Sequence, residues 1–264
     1  SIVLALDYAY FYLKGENFKN FVSKWFTYVI HFISLRKCDE VIAISEATKE
    51  DTIKLFKISE KKIKVIYLGY KKICSVPEIE VPLPKKFFFF AGIIKERKNV
   101  KNIVKAFHKF SSSDSNIDLA IAGNPSGAYF EEIEKYIEDN NLLDRVKFLG
   151  HMNDGQLSYI YKKSFAFVFP TLIEGFGMPV AEAMDCGVPV ITSNQSSLKE
   201  VGGNNSSILV DPYNPEDISK AMERLASDGE LREALIKKGK EQSKLFSWEI
   251  SARKLFEVIK KITD

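Results

Sequence analysis

Short apolar runs alternate with segments of helical spacing along most of the chain. The runs at 87–90, 117–122, 146–149, 165–169, 188–192 and 208–210 predict strands. Helices are predicted at 100–110, 129–140, 215–227 and 231–244. A further helix is predicted to end at 162, with Asn153 or Asp154 as its N-cap. This alternation is typical of a parallel sheet with helices on both faces.

The first part of the chain predicts a second, smaller α/β unit. Apolar runs at 1–6, 40–44 and 63–68 indicate strands, and Ser45 is a good N-cap for a helix that extends to Phe56. Prolines 77, 82 and 84 then indicate an extended linker. We therefore predict a first unit at 1–73, a linker at 74–84, a larger unit at 85–245 and a closing helix within 246–264.

The segment 18–33 has apolar residues at helical spacing and basic residues around them, and two interpretations stay open. One is a well-buried helix of the first unit. The other is a helix that lies on an anionic membrane surface, a peripheral membrane contact. The apolar set is Phe18, Phe21, Val22, Trp25, Val29, Phe32 and Ile33, and the basic set is Lys14, Lys19, Lys24, Arg36 and Lys37.

Composition, net charge and cysteine spacing argue against several classes of function. The 264 residues are 45% hydrophobic and 28% charged, which is ordinary for a globular protein, and the net charge of +3 does not point to nucleic acid as a partner. Cys38, Cys74 and Cys186 are far apart in sequence. That spacing argues against a disulfide framework or a zinc site and fits a reducing compartment. No apolar run is long enough to span a bilayer, so we expect a cytoplasmic protein.

The stretch 169–190 holds the candidate chemistry. A strand ends at Phe169, a loop with Gly175 and Gly177 follows, and a helix with Pro179 near its first turn stops at Gly187. Open parallel sheets bind ligands at this edge, and the free amides that open a helix favour an anion.

Two carboxylates, Glu174 and Glu182, frame that loop. A carboxylate beside a phosphate site is suited to accept hydrogen bonds from hydroxyl groups such as those of a ribose or a sugar. The alternative interpretation is a sheet edge with two solvated glutamates.

The run from Glu174 to Glu182, with GFGMP inside it, resembles the E-x7-E signature of retaining GT-B glycosyltransferases of family 4. Segments 91–99, 148–164, 189–203, 209–219 and 246–249 also resemble the family and follow its order. The resemblance implies a GT-B fold: an α/β, Rossmann-like, parallel-sheet C-terminal domain plus a partial Rossmann-like N-terminal domain. It also implies that the closing helix returns to the N-terminal domain.

The resemblance implies roles for individual residues. Arg97 and Lys98 follow the first strand of the larger unit, where the family neutralises the donor pyrophosphate with cations. The alternative there is a solvated loop in the run KERK. Glu182 resembles the glutamate that holds the ribose, and Glu174 the one near the donor sugar. The resemblance also implies that other residues bind the donor, through backbone groups, in the base pocket or elsewhere on the nucleotide. They are Gly92, Gly175, Phe176, Gly177, Met178, Asn124, Phe148 and His151.

Two departures from the family pattern stand out. The family's N-terminal domain begins well before the first strand seen here. Relatives also carry His-Asp where this chain has Leu6-Asp7, and leucine cannot form the hydrogen bonds of histidine.

The function that the resemblance implies is retaining transfer of a hexose, with mannose favoured. The donor is a nucleotide-diphosphate sugar, GDP-mannose or a UDP-sugar, and the acceptor is a saccharide or a lipid-linked saccharide in cell-surface polysaccharide synthesis. No cofactor and no metal are expected. The alternative is a non-catalytic nucleotide-sugar-binding subunit or fragment that needs a partner chain or a missing N-terminal half. A phosphorylase or epimerase relative is disfavoured because the cofactor-lysine motif of the phosphorylases is not evident.

Overall fold

The computed structural model of the chain describes residues 1–12, 18–112 and 116–263, and within these ranges the side chains of residues 18–21 are not described. Lys14 and the side chains of Phe18, Lys19 and Phe21 therefore lie outside the description. The predicted α/β class is confirmed, since the strands form two parallel sheets and helices connect successive strands along the chain.

The smaller sheet holds the first strands of the chain in the order β1-β2-β3. They are β1 (Ile2–Ala5), β2 (Glu40–Ala43) and β3 (Ile63–Val65), with helices α1 (Ala9–Tyr12), α2 (Phe18–Lys37) and α3 (Glu46–Phe56). Ser45 caps α3 as predicted, because its Oγ accepts a hydrogen bond from the amide of Thr48 at 3.0 Å.

The larger sheet has the order β6-β5-β4-β7-β8-β9, and all its pairings are parallel. Its strands are β4 (Phe87–Ala91), β5 (Asp118–Ala122), β6 (Val146–Gly150), β7 (Ala166–Phe169), β8 (Val190–Ser193) and β9 (Ile208–Val210). Its helices are α4 (Val100–Ser111), α5 (Ala128–Asp139), α6 (Asp154–Lys163), α7 (Met178–Asp185), α8 (Ser196–Gly202), α9 (Pro215–Ser227), α10 (Gly229–Ser243) and α11 (Trp248–Thr263). The strand order reverses between β4 and β7, which opens a crevice at their carboxyl ends.

Phenylalanines fill the centre of the larger sheet. All four successive residues of Phe87 to Phe90 are fully buried, as expected for a parallel strand covered on both faces. The ring of Phe90 stacks on that of Phe169 with centroids 5.7 Å apart, which joins the carboxyl-terminal parts of β4 and β7. This contact gives the crevice a rigid floor.

The expectation that the helix at 18–33 is well buried is wrong. On α2, Leu35 is buried, but Trp25 and Phe26 are each 61% exposed, and Ile30 and Ile33 are also exposed. These four side chains form one stripe, because residues three and four apart share a helix face. The stripe points away from the small core beneath α2.

The last helix contacts the first part of the chain. Ser251 on α11 donates a hydrogen bond from its Oγ to the carbonyl of Tyr67 at 2.5 Å. Gly69 packs so closely on Trp248 that a Cβ at position 69 would lie 2.3 Å from the Trp248 nitrogen. The segment after Ile73 lies along α6, where Ser158 donates from Oγ to the carbonyl of Val76 at 3.0 Å. The domain boundaries themselves stay a prediction.

The interpretation of the cysteines as unpaired is wrong for two of them. Cys74, in the short 3-10 helix Ile73–Ser75, forms a disulfide with Cys186, the residue that ends α7. Their separation of 112 residues hid the pairing in the sequence. Cys38 is a free, buried thiol. Within the described ranges, no helix is both long and apolar enough to cross a bilayer.

Thiol counting tests this pairing. Alkylation of the unfolded chain without reductant should add one adduct, on Cys38, and alkylation after reduction should add three. Intact-mass spectrometry reads both numbers. Three adducts without reductant, on protein purified with its thiols protected from exchange, would contradict the disulfide.

Candidate active site

Two loops at the carboxyl ends of β4 and β7 form the candidate site. After β4, the chain turns at Gly92, which has a φ of +156°, and reaches the short 3-10 helix Glu96–Lys98. Asn99 ends this turn in the left-handed conformation, with a φ of 62°. After β7, the chain continues through Pro170 to the glycine loop.

Asn99 holds the two loops together. Its buried amide donates hydrogen bonds from Nδ2 to the carbonyls of Pro170, at 2.9 Å, and Pro212, at 2.6 Å. The amide of Leu172 also donates to the carbonyl of Arg97 at 2.9 Å. The backbone that carries Arg97 and Lys98 is therefore fixed against the backbone that carries Glu174.

Arg97, Lys98 and Glu174, which the sequence predicted as separate contributors, form one ion cluster. Lys98 donates from Nζ to Oε1 of Glu174 at 2.6 Å, and Arg97 donates from Nη1 to Oε2 at 3.3 Å. Lys98 is only 8% exposed, and its Nζ lies 4.9 Å from the ring centroid of Phe169. The carboxylate of Asp7 also lies close enough to Lys98 to favour its charged form, so the two cations face two carboxylates beside the crevice.

Burial affects the protonation of Lys98. It lowers the pKa of the ammonium group, and the nearby carboxylate of Glu174 opposes that shift. Arg97 adds to the lowering, since a like charge disfavours the charged form. Glu174 is therefore the main group that favours the charged form of buried Lys98, and Asp7 makes a smaller contribution.

Hydroxyl groups fix the orientation of the glycine loop. The carbonyl of Glu174 accepts hydrogen bonds from Ser196 and Ser197, both at 2.9 Å. The carbonyl of Gly175 accepts from Ser45 at 2.8 Å and from Thr48 at 3.4 Å. The carbonyl and the N–H of a trans peptide point in opposite directions. The N–H groups of Gly175 and Phe176 therefore point away from these four hydroxyl groups.

The loop amides stay available for a ligand. Among the described residues, none accepts a hydrogen bond from the N–H of Gly175 or of Phe176. Sequence reasoning identified Ser45 only as a helix cap and missed Thr48, Ser196 and Ser197. Ser196 has a φ of 54°, a left-handed conformation that its sequence context did not reveal.

Protein contacts also explain the glycines of the loop. A Cβ on Gly175 would lie 2.3 Å from the carbonyl oxygen of Leu6, and one on Gly177 would lie 2.5 Å from Leu198. Gly177 also has a φ of +106°, a conformation that favours glycine. At Gly175, the space is taken by the Leu6-Asp7 segment of the first part of the chain. The side chain of Leu6 is 53% exposed at that position.

The side chain of Phe176 is buried, whereas that of Met178 is exposed. The Phe176 side chain is buried between Tyr67 and Phe246, with ring centroids 6.1 and 5.4 Å away, so only its backbone faces the crevice. Met178 opens α7 and is 41% exposed.

Glu182 lies on α7, behind the loop. Burial and, to a smaller extent, the nearby carboxylate of Asp154 together raise its pKa to about 7, and Lys71 opposes the shift. Lys71 and Asp154 form an ion pair with each other. Near neutral pH, Glu182 is thus present in both protonation states, which fits a hydrogen-bonding partner of hydroxyl groups.

The three remaining predicted residues lie at the carboxyl ends of β5 and β6, on the same edge of the sheet. Asn124 and His151 are exposed, and Phe148 packs its ring against Phe130 with centroids 5.0 Å apart. Gly123 donates from its amide to the carbonyl of Gly150 at 2.8 Å, which sets the two strand ends side by side. No group of His, Cys, Asp and Glu in the described part of the chain is arranged to hold a metal ion.

Comparison with known families identifies the chain. A family model described as Glycosyl transferases group 1 matches residues 75–242, and one described as Glycosyltransferase Family 4 matches residues 6–71. The chain belongs to the group 1 glycosyltransferases. The resemblance carried by the Glu174 to Glu182 run is thereby confirmed.

Curated relatives of this group 1 chain are longer than it is. It is 28% identical over 225 residues to an O-antigen chain mannosyltransferase B of Escherichia coli, covering 82% of this chain and 59% of the relative. It is 30% identical over 224 residues to an uncharacterised glycosyltransferase of Methanocaldococcus jannaschii, with coverages of 83% and 59%. The chain thus spans about three fifths of the length of these relatives.

Solved structures confirm the fold of this group 1 chain as GT-B. Sucrose-phosphate synthase from Thermosynechococcus elongatus superposes with a TM-score of 0.82 at 22% identity, covering 99% of this chain and 67% of that one. The Anabaena protein HepE, solved with UDP and glucose, superposes with a TM-score of 0.79 at 16% identity, with coverages of 98% and 71%.

The ion cluster predicts a specific stability effect. Glu174→Gln leaves Lys98 and Arg97 without their shared anion, so we expect the free energy of unfolding to fall by about 3–5 kcal/mol. Lys98→Met in the same background removes the buried cation and should recover part of the loss. Chemical denaturation measures both.

The control is Glu132→Gln, which breaks an exposed pair with Lys101 and should cost about 1 kcal/mol or less. Equal losses for Glu174→Gln and the control would contradict the cluster.

The raised pKa of Glu182 predicts a pH dependence of stability. Because its folded-state pKa of about 7 exceeds the unfolded value of 4.5, protonated Glu182 contributes stability that is fully present below pH 4.5 and lost as the pH rises through 7. Relative to wild type, Glu182→Gln should gain about 1–3 kcal/mol between pH 4.5 and pH 8. Denaturation at several pH values measures the gain. The exposed control Glu216→Gln should show no such gain between pH 6 and pH 8, and a flat profile for Glu182→Gln would rule out the raised pKa.

Proposed function

We propose that this chain carries the donor site of a retaining hexosyltransferase. The enzyme transfers a hexose from a nucleotide-diphosphate sugar to a saccharide or lipid-linked saccharide acceptor in cell-surface polysaccharide synthesis. The observation that carries the proposal is the cluster of Arg97, Lys98 and Glu174 at the point where the strand order reverses. Ligands of open α/β sheets bind at this point.

The reaction requires stabilisation of the leaving group. Breaking the anomeric C–O bond gives a transition state with oxocarbenium character and leaves negative charge on the diphosphate. Lys98 and Arg97 supply positive charge there, and the available amides of Gly175 and Phe176 supply oriented dipoles. No metal or cofactor enters this proposal.

Glu174 has two functions in the proposal. Without the donor, it neutralises the cations and keeps them in position. With the donor, the diphosphate takes over part of that pairing, and the carboxylate becomes available to the hydroxyl groups of the hexose or to positive charge at the anomeric carbon. The fixed loop backbone keeps the Glu174 carboxylate close to the sugar throughout.

Glu182 and the β6 end complete the donor site. Glu182 accepts hydrogen bonds from the ribose hydroxyls, for which the ionised form is the better acceptor. The base lies beside Phe148 and His151, with Asn124 next to it. Mannose, carried by GDP, is the hexose that we propose, because several similar proteins are named mannosyltransferases of O-antigen synthesis.

Dependence on a further polypeptide segment is the second proposal. In the part of the chain that is described, β1 pairs only with β2, and Leu4 on it is 55% exposed. The stripe on α2 is a second exposed apolar surface of the first part of the chain. We propose that a preceding segment of the same protein, or a partner chain, pairs with β1 and supplies further acceptor contacts. A GtfA/B complex is among the proteins of similar fold, with a TM-score of 0.70. A membrane surface is the other candidate to cover α2.

A nucleotide titration tests the donor site. We expect calorimetry with UDP, GDP and ADP to show binding of one nucleotide. Lys98→Ala and Glu182→Ala should each weaken that binding about tenfold or more, since each removes a charged or hydrogen-bonded contact worth about 1.4 kcal/mol or more. Matched controls are Lys101→Ala and Glu216→Ala, which change exposed pairs outside the crevice. Binding that both site variants retain at wild-type strength would refute the donor site.

A further inference from the structure

A disulfide lies one helical turn from Glu182. Cys186 ends α7 and pairs with Cys74, and the amide of Cys186 donates a hydrogen bond to the carbonyl of Glu182 at 3.0 Å. Because residues four apart share a helix face, Glu182 and Cys186 face the same neighbouring stretch of chain. That stretch comprises residues 71–79, which we name the bridging segment.

Hydrogen bonds hold the bridging segment on α6. Ser158 donates from Oγ to the carbonyl of Val76 at 3.0 Å, and the amide of Ile79 donates to the carbonyl of Gly155 at 3.0 Å. The disulfide adds a covalent bond from the same segment to the end of α7. The bridging segment therefore clamps α6 to α7.

The clamp lies directly behind the candidate donor site. Helix α6 begins shortly after His151 at the end of β6, and α7 begins at the end of the glycine loop. Lys71 of the bridging segment forms an ion pair with Asp154 at the first turn of α6. Both charges act on Glu182, whose pKa is raised mainly by burial, further by Asp154, and lowered by Lys71. The position of the bridging segment thus sets the surroundings of the Glu182 carboxylate.

The disulfide is placed where thiol exchange is favoured. Cys74 and Cys186 are each half-buried, whereas the free thiol of Cys38 is buried. A Cβ on Gly187, the residue after Cys186, would lie 3.2 Å from Nζ of Lys240. A nearby ammonium group favours the thiolate, which is the form that attacks and leaves in thiol–disulfide exchange.

We propose that the Cys74–Cys186 pair is a redox switch of the donor site. As a disulfide, the pair holds the bridging segment over Glu182 and clamps α6 to α7. As two thiols, it leaves the end of α7 free to separate from the segment. Donor binding to the reduced protein then has to order these groups, which lowers the affinity. The inference rests on the proposed donor site, because the contact of Glu182 with the ribose gives the clamp its role.

A small dithiol is the reductant that the switch requires. One of its thiolates attacks a sulfur of the pair and forms a mixed disulfide, and its second thiol then displaces the protein sulfur. The dithiol ends as its own disulfide. It supplies the two electrons and two protons that convert Cys74 and Cys186 to thiols.

Nucleotide titration of oxidised and reduced wild type tests the switch. The probe is whichever of UDP, GDP and ADP binds most tightly, and calorimetry is run without reductant and after reduction with dithiothreitol. We expect reduction to raise the Kd about fivefold, a loss of about 1 kcal/mol of binding free energy. Amide hydrogen exchange on the same samples should become faster in the last turn of α7 on reduction. Wild type supplies both states, so this comparison does not depend on the folding of a variant.

Serine variants assign the response to the pair. Cys74→Ser and Cys186→Ser should each bind the nucleotide like reduced wild type, with or without dithiothreitol. The matched control Cys38→Ser removes the remaining thiol and should keep the full fivefold response.

Two outcomes would overturn the switch alone. One is nucleotide binding of equal strength to oxidised and reduced wild type. The other is a fivefold response to dithiothreitol that persists in Cys74→Ser and Cys186→Ser. A chain that binds no nucleotide in either redox state would instead refute the donor site, and the switch with it.

Discussion

The buried pairing of Lys98 with Glu174 is the constraint on which the rest of the site depends. Lys98 is only 8% exposed, and the carboxylate of Glu174 against its ammonium group stabilises the charge there. This pairing ties the loop after β4 to the loop after β7, and the side-chain amide of Asn99 secures the same junction by donating to the carbonyl of Pro170. The strand reversal supplies a crevice, but this ion pair determines which charges the crevice presents.

The site also belongs to both parts of the chain. The glycine loop comes from the larger sheet, yet Ser45 and Thr48 from the smaller one help to orient it, and the Leu6-Asp7 segment occupies the space beside Gly175. In the opposite direction, Glu200 of the larger unit accepts hydrogen bonds from the first amides of α3 in the smaller one. The larger unit alone holds the peptide between Glu174 and Gly175, whereas the peptide between Gly175 and Phe176 depends on the smaller one.

Much of the fold could be predicted from the sequence, because its determinants are local. The strand runs, the cap at Ser45 and the helix after Pro179 each follow from neighbouring residues, and the observed bounds lie close to the predicted ones. The site residues could be named through the family motif, but their mutual pairing could not. Glu174 lies 76 residues from Lys98 in sequence, and a pattern of charges does not say which carboxylate neutralises which cation. The left-handed Ser196 and the exposed face of α2 likewise depend on tertiary packing.

The disulfide between Cys74 and Cys186 has a mechanical consequence. It fastens the chain, just after the smaller sheet, to the end of the helix that carries Glu182. Backbone on the far side of Cys74 therefore moves with that helix as one body. Moving the smaller sheet away from the glycine loop would therefore mean bending the chain before Cys74 and breaking the hydrogen bonds of Ser45 and Glu200 that cross between the two parts.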